Sequence, residues 1–204
     1  GLLDKGLIAA QEIDLSHFFA MSTPAQTPTP PPDERLVLRG VNSLQQHGYA
    51  VRIARRALSQ HKLAAGEKLA VLVVEDDLPL ARLMRVALEQ GSFTVRMAAN
   101  REEIVSAMRR PPVPDLVLLD VMLPDADGFD VLAKMRQHAA LKSVPVIMAT
   151  GKASREDVFK GLMLGANGYI TKPFQVDVLQ KAANEVLGIN TEGAGGDPWY
   201  DERT

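Results

Sequence analysis

A chain of 204 residues with 46% hydrophobic and 24% charged side chains has the composition of a globular protein, with room for one domain and an extension. A net charge of −2 gives the whole chain no signature of a nucleic-acid binder, and the lack of cysteine excludes disulfides, thiol catalysis and a cysteine zinc site. No apolar run reaches the roughly eighteen residues of a membrane helix. Asp4, Lys5, Glu12 and Asp14 break the pattern of a secretion signal, so a cytoplasmic protein without membrane partners is expected.

Residues 1–32 read as a flexible N-terminal segment, because 22–32 are rich in proline and threonine and cannot pack a core. Met21, just before that stretch, is a candidate natural start. Residues 33–68 form a basic, partly helical extension with a local charge of +4. Leu36, Val37, Val41 and Leu44 suggest one helix there. Ile53, Ala57 and Leu58 suggest another from Tyr49 to Leu63. Leu44 to Ala54 also echoes Leu88 to Ala98, with Tyr49 opposite Phe93. Chance likeness between two helix-to-strand segments explains that echo better than a degenerate duplication.

From Leu69 the pattern is strand then helix, five times over, to residue 188; residues 189–204 read as a flexible tail. Short apolar runs at 71–74, 116–119 and 146–149 are buried parallel strands, with a fourth at Tyr169-Ile170-Thr171. Leu80, Leu83, Met84, Ala87 and Leu88 line one face of the first helix, and Val176, Leu179, Ala183, Val186 and Leu187 one face of the last. Asp77 caps the first helix, Pro79 sits in its first turn and Gly91 stops it. Asn100-x-x-Glu103 and Ser154-x-x-Asp157 resemble capping boxes. Strands alternating with helices of this length predict an α/β fold, a parallel sheet covered on both faces.

Parallel strands of such a fold deliver their last residues to one edge, where sites are built. Here those residues are Glu75 and Asp76, Asp120, Thr150 and Lys172. Carboxylates, a hydroxyl and an ammonium together suit a divalent cation and a phosphoryl group. A carboxylate attacks phosphorus poorly unless the phosphoryl charge is neutralised, so such a reaction rests on positioning and electrostatics. Mg²⁺ takes one or two carboxylates and keeps several waters. Asp76 and Asp120 meet that need, with Glu75 available through water. Lys172 supplies a fixed positive charge, Thr150 one donor, and Gly151 leaves room for a donor molecule.

Glu75-Asp76, Asp120 with Pro124 and Gly128, Thr150-Gly151 and Lys172-Pro173-Phe174 together resemble the receiver domain of two-component response regulators, over residues 69–188. The resemblance implies a five-stranded, doubly wound, flavodoxin-like sheet in the order 2-1-3-4-5. It implies that Asp120 accepts a phosphoryl group from a histidine kinase or histidine phosphotransfer protein. Mg²⁺ would be bound by Asp76, Asp120 and the Met122 carbonyl, with Glu75 acting through water. It further implies a cis peptide before Pro173 and a switch pair, Thr150 and Tyr169, that moves on phosphorylation and remodels a protein-binding surface. Such a domain is a switch acting on itself rather than an enzyme with a separate substrate.

Other residues have plainer readings. Asp125, Asp127 and Asp130 fit a solvated loop and helix cap, and neither His47 nor His61 is recommended as a phosphotransfer group. Met122 and Lys152 lie two residues after Asp120 and Thr150, and neither orients an attacking water, so self-dephosphorylation is expected to be slow. The downstream protein target has no sequence signature, and a homodimer is left open. Two alternatives stand beside the phosphoacceptor reading. One is a DNA-binding regulator using the basic 33–68 segment, against which the lack of a helix-turn-helix pattern counts. The other is a pseudo-receiver that docks without phosphorylation.

Overall fold

The computed structural model describes residues 13–20, 34–51, 68–151 and 154–189. Readings that fall on the proline-rich stretch, on 52–63, on Lys152 and on the tail from 190 lie outside the described residues.

After a 3-10 turn at Phe18–Ala20 come α1 (Glu34–His47) and β1 (Tyr49–Val51). The receiver-like part follows as β2 (Leu69–Val74), α2 (Leu78–Glu89), β3 (Phe93–Ala98), α3 (Arg101–Arg109) and β4 (Leu116–Leu119). It continues with α4 (Gly128–Gln137), β5 (Val146–Thr150), α5 (Arg155–Met163), β6 (Gly168–Thr171) and α6 (Val176–Val186). The sheet runs β1-β6-β5-β4-β2-β3. Its last five strands are mutually parallel, in the expected order 2-1-3-4-5. The sixth strand, β1, is an addition: it pairs antiparallel with β6, Tyr49 opposite Ile170 and Val51 opposite Gly168.

Strand residues alternate between two apolar layers, as period-two geometry requires. Val71, Val73, Leu116, Leu118, Ile147 and Ile170 face α2 and α6, packing with Met84, Leu88, Leu179 and Val186. Leu72, Val74, Val117, Leu119, Met148 and Tyr169 face the opposite layer, with Ile104, Met108, Leu132 and Val158 from α3, α4 and α5. Each fully buried Val or Leu contributes on the order of 1.5–3 kcal/mol of transfer free energy, so both layers are needed to hold the strand ends in place.

The caps follow the sequence. Asp77 accepts from the Leu80 amide, Asn100 from Glu103 and Asp127 from Phe129. Ser154 and Asp157 form a reciprocal capping box. Ser154→Ala is expected to cost about 1 kcal/mol, seen as a lower urea midpoint with an unchanged slope.

Three expectations are corrected. Residues 13–20, placed by sequence in a flexible segment, are packed: Leu15 and Phe18 are buried against the α3–α4 layer, and the Asp14 carbonyl meets His138 Nε2 at 3.1 Å. Tyr49–Val51 is a strand, not the start of a second helix, because Gly48 ends α1 at φ +76 and turns the chain onto the free edge of β6. Over its described residues, 44–51, the segment that echoes Leu88–Ala98 also runs from helix to strand, yet β1 is antiparallel to its neighbour where β3 is parallel. Leu83 and Val176 are exposed rather than in the core, since the buried stripe of each helix is narrower than its apolar stripe.

Candidate functional site

The order of strands reverses between β2 and β4, and both strands end at the same edge in acids. The Asp120 amide donates to the Val74 carbonyl at 3.0 Å, and the Glu75 amide to the Ala98 carbonyl at 2.9 Å, so the ladders carry these residues past the last named strand positions. Crossover helices must start on either side of this point, which leaves a crevice above it.

In the crevice, Glu75, Asp76 and Asp120 each present a carboxylate oxygen within 4.8 Å of the others. Glu75 and Asp120 are buried, and Asp76 faces solvent. Lys172 Nζ lies 2.6 Å from Asp120 Oδ2 and 2.5 Å from Glu75 Oε2. The ammonium arrives there because β6 ends at Thr171, one residue before it; the Lys172–Pro173 bond is cis. The Lys172 amide also donates to the Thr150 carbonyl at 3.0 Å, which ties the ends of β5 and β6 together. The other Asp120 oxygen, Oδ1, accepts from the Met122 amide at 3.2 Å. Glu75 Oε1 accepts from the Asp77 amide at 3.3 Å.

The electrostatics follow from this crowding. Burial pushes the Glu75 carboxyl above the ordinary range, and the Lys172 ammonium opposes that shift only in part. For Lys172, burial pulls down, but hydrogen bonds and charge from Asp120 and Glu75 outweigh it and hold the ammonium protonated. Two buried acids are therefore balanced by one cation, with a third acid alongside. The deficit of positive charge and the set of hard oxygens fit a divalent ion of the Mg²⁺ type.

Thr150 is buried at the end of β5, in register with Thr171. Tyr169 is fully buried, its ring inside the α3–α5 layer and its hydroxyl donating 2.7 Å to the Asp157 carbonyl of α5. Asp125 accepts from the Arg101 amide, and Asp130 pairs with Lys134 at 2.6 Å, so these acids are structural and apart from the cluster. The Met122 side chain is exposed.

Sequence reasoning missed why two glycines matter. A Cβ at Gly128 would lie 2.1 Å from the Asp120 carbonyl oxygen, so the first turn of α4 can rest on the Asp120 backbone only with glycine there. A Cβ at Gly161 would lie 1.6 Å from the Tyr169 hydroxyl. Glycine inside a helical pattern was the available signal for the second.

Comparison with known proteins agrees with this geometry. The family model described as the response regulator receiver domain matches residues 71–184. The phosphate regulon transcriptional regulatory protein PhoB of Escherichia coli (strain K12) is 38% identical over 104 residues, 51% of this chain and 45% of that one. The transcriptional regulatory protein CseB of Streptomyces coelicolor is 38% identical over 133 residues, 61% of this chain and 55% of that one. The chain thus spans about half the length of the curated relatives it matches. Among solved structures, the non-phosphorylated HemR receiver domain from Leptospira biflexa has a TM-score of 0.55 at 31% identity, over 61% of this chain and 98% of that one. The phosphorylated cyanobacterial phytochrome response regulator RcpA has a TM-score of 0.55 at 27% identity, over 61% and 97%. With the acid cluster at the switch point, the doubly wound sheet and a family match over more than half its length, the chain belongs to the receiver-domain family of two-component response regulators.

Proposed function

We propose that Asp120 is the phosphoacceptor of a signalling switch. The observation that carries this is a buried carboxylate at the end of a central strand, 2.6 Å from a fixed ammonium and beside two further acids. A carboxylate oxygen of Asp120 attacks the phosphorus of a phosphohistidine on a kinase or phosphotransfer protein. The new C–O–P linkage is an acyl phosphate, and the P–N bond breaks to release imidazole, which takes up a proton. Lys172 is placed to hold the oxygens of the incoming group, and the Met122 amide fixes the orientation of the carboxylate. Thr150 supplies a hydroxyl at the neighbouring strand end. Glu75, Asp76 and Asp120 are the residues that would hold Mg²⁺, with the Met122 carbonyl as a further donor. The ion would neutralise charge on the transferring group. Thr150 and Tyr169 then carry the change to the surface formed by α5, β6 and α6. The chain acts on itself and on a protein target, and turns over no separate substrate.

Mg²⁺ is expected to raise the melting temperature of the wild type and not of Asp76→Asn/Asp120→Asn, since it relieves repulsion among the acids. Its apparent affinity falls as pH drops. Glu75 begins to take up a proton above the ordinary glutamate value of 4.5 and thereby loses the charge that attracts the ion. Affinity independent of pH between 7 and 5 on a calorimetric titration contradicts this assignment. The acyl phosphate is expected to outlast minutes, because the Met122 thioether, two residues after Asp120, is a poor group for orienting an attacking water; decay within seconds contradicts that.

The names of the relatives favour a role in transcription as a second reading, and duplex DNA is then the downstream partner. Among the described residues of 33–68, Arg39 is exposed on α1. Retention on duplex DNA that weakens steeply with salt supports this role, and no shift at low salt removes it.

A further inference from the structure

β6 has the acid cluster at one end and the N-terminal extension along its open side. Thr171, immediately before Lys172, donates twice to the Gly48 carbonyl, from its amide at 2.9 Å and its hydroxyl at 3.2 Å. At the other end of the strand, β1 approaches so closely that a Cβ at Gly168 would lie 2.6 Å from the Ala50 carbonyl oxygen. Between them Ala50, itself buried, is opposite Tyr169, whose hydroxyl holds α5. Described residues of α1 and β1 grip the flanking helices. Leu44 and Val41 of α1 pack into the layer that contains Val158 of α5. The Tyr49 hydroxyl donates 2.9 Å to Glu185 of α6. The α1–β1 segment thus clasps α5, β6 and α6 together.

We infer that this clasp is an internal occupant of the β6 edge whose docking is coupled to the charge on Asp120, and that phosphorylation loosens it. The inference rests on Asp120 being the phosphoacceptor. Lys172 is shared between Glu75 and Asp120, and a phosphoryl group on Asp120 draws it to new oxygens. The paired hydrogen bonds to Gly48 are one residue from Lys172, so the backbone that must adjust is the backbone that holds β1. At three residues β1 is the shortest strand of the sheet and has the fewest ladder bonds to hold it. Its release uncovers a strand edge that can accept an antiparallel partner. Coupling is reciprocal, so a chain with its clasp disabled binds a phosphoryl mimic more tightly.

The test uses the full chain with Mg²⁺ and beryllofluoride, following bound fluoride by ¹⁹F NMR and amide exchange over 44–51 by mass spectrometry. Saturation is expected to speed exchange in 44–51 by about fivefold or more. Ala50→Asp, which blocks docking from the β1 side and leaves residues 69–188 unchanged, is expected to bind beryllofluoride about fivefold more tightly. Tyr49→Phe shifts affinity less and in the same direction, and serves if Ala50→Asp does not fold. Bound fluoride with unchanged or slower exchange, and variants with wild-type affinity, overturns the inference. No bound fluoride in the wild type overturns the phosphoacceptor reading, and the coupling with it.

Discussion

Lys172→Met is expected to lower stability at neutral pH by about 3 kcal/mol, the lower end of the cost of stripping one partner from a buried ion pair. It is also expected to slow phosphorylation of Asp120 by about 100-fold. The side chains of Lys172, Glu75 and Asp120 are 18%, 2% and 8% exposed, so solvent screens their interaction little. Without the ammonium, two buried carboxylates face one another. The loss shrinks as pH falls, because Glu75 is already above its ordinary range and the folded variant takes up its proton before the unfolded chain does. The sign for the wild type is the opposite kind of statement. Lys172 is held above the ordinary lysine value of 10.5, so its contribution persists through neutral pH and is lost only as pH rises through the folded value. Mg²⁺ is expected to restore part of the variant's stability. Urea unfolding at pH 7 and 5, with and without Mg²⁺, checks the loss of stability, its shrinking with pH and the rescue by Mg²⁺, and the rate of acetyl phosphate labelling checks the effect on phosphorylation. A variant as stable as wild type at pH 7 contradicts the balance of charge described for the site.

Gly128→Val retains every charged group and is nevertheless expected to cut phosphorylation by about 100-fold, the effect of a misplacement near 1 Å. The atoms a Cβ would meet are the Asp120 carbonyl oxygen at 2.1 Å, the Val121 Cα at 2.8 Å and the Asp120 carbonyl carbon at 2.9 Å. All are backbone, so no side chain can swing aside. Either α4 or the end of β4 must shift, at a cost of about 1–3 kcal/mol. Gly151→Ala is the control for stability, because among the described residues a Cβ there meets nothing within 4 Å and stability should stay within about 0.5 kcal/mol. Rates of acetyl phosphate labelling and urea midpoints for both variants decide the matter. Equal labelling by Gly128→Val and wild type means that Asp120 is not positioned by that contact.

The acid cluster was legible because each strand is a short apolar run ending in a polar residue, and parallel strands send those residues to one edge. The caps at Asp77, Asn100 and Ser154 were legible because capping is local. Strand order came from the family resemblance, since nothing in the runs themselves says which strand is central. β1 was hidden for a physical reason. Tyr49-Ala50-Val51 is too short to show a period, and its partner lies about 120 residues further on, where Gly168 makes room for it. Leu15 and Phe18 were hidden similarly, as isolated apolar residues whose covering surface comes from α3 and α4. Gly128 was noticed as part of a pattern, but its contact with the Asp120 backbone needs the fold to be seen.

The most direct test of the phosphoacceptor assignment is the intact mass of the full chain after incubation with acetyl phosphate. Wild type and Asp120→Asn are compared, each with Mg²⁺ and with the metal chelated. The predicted result is one added phosphoryl group on the wild type with Mg²⁺, and none on Asp120→Asn or on the chelated samples. Addition that survives Asp120→Asn contradicts the assignment, as does a wild type that binds Mg²⁺ and gains no mass.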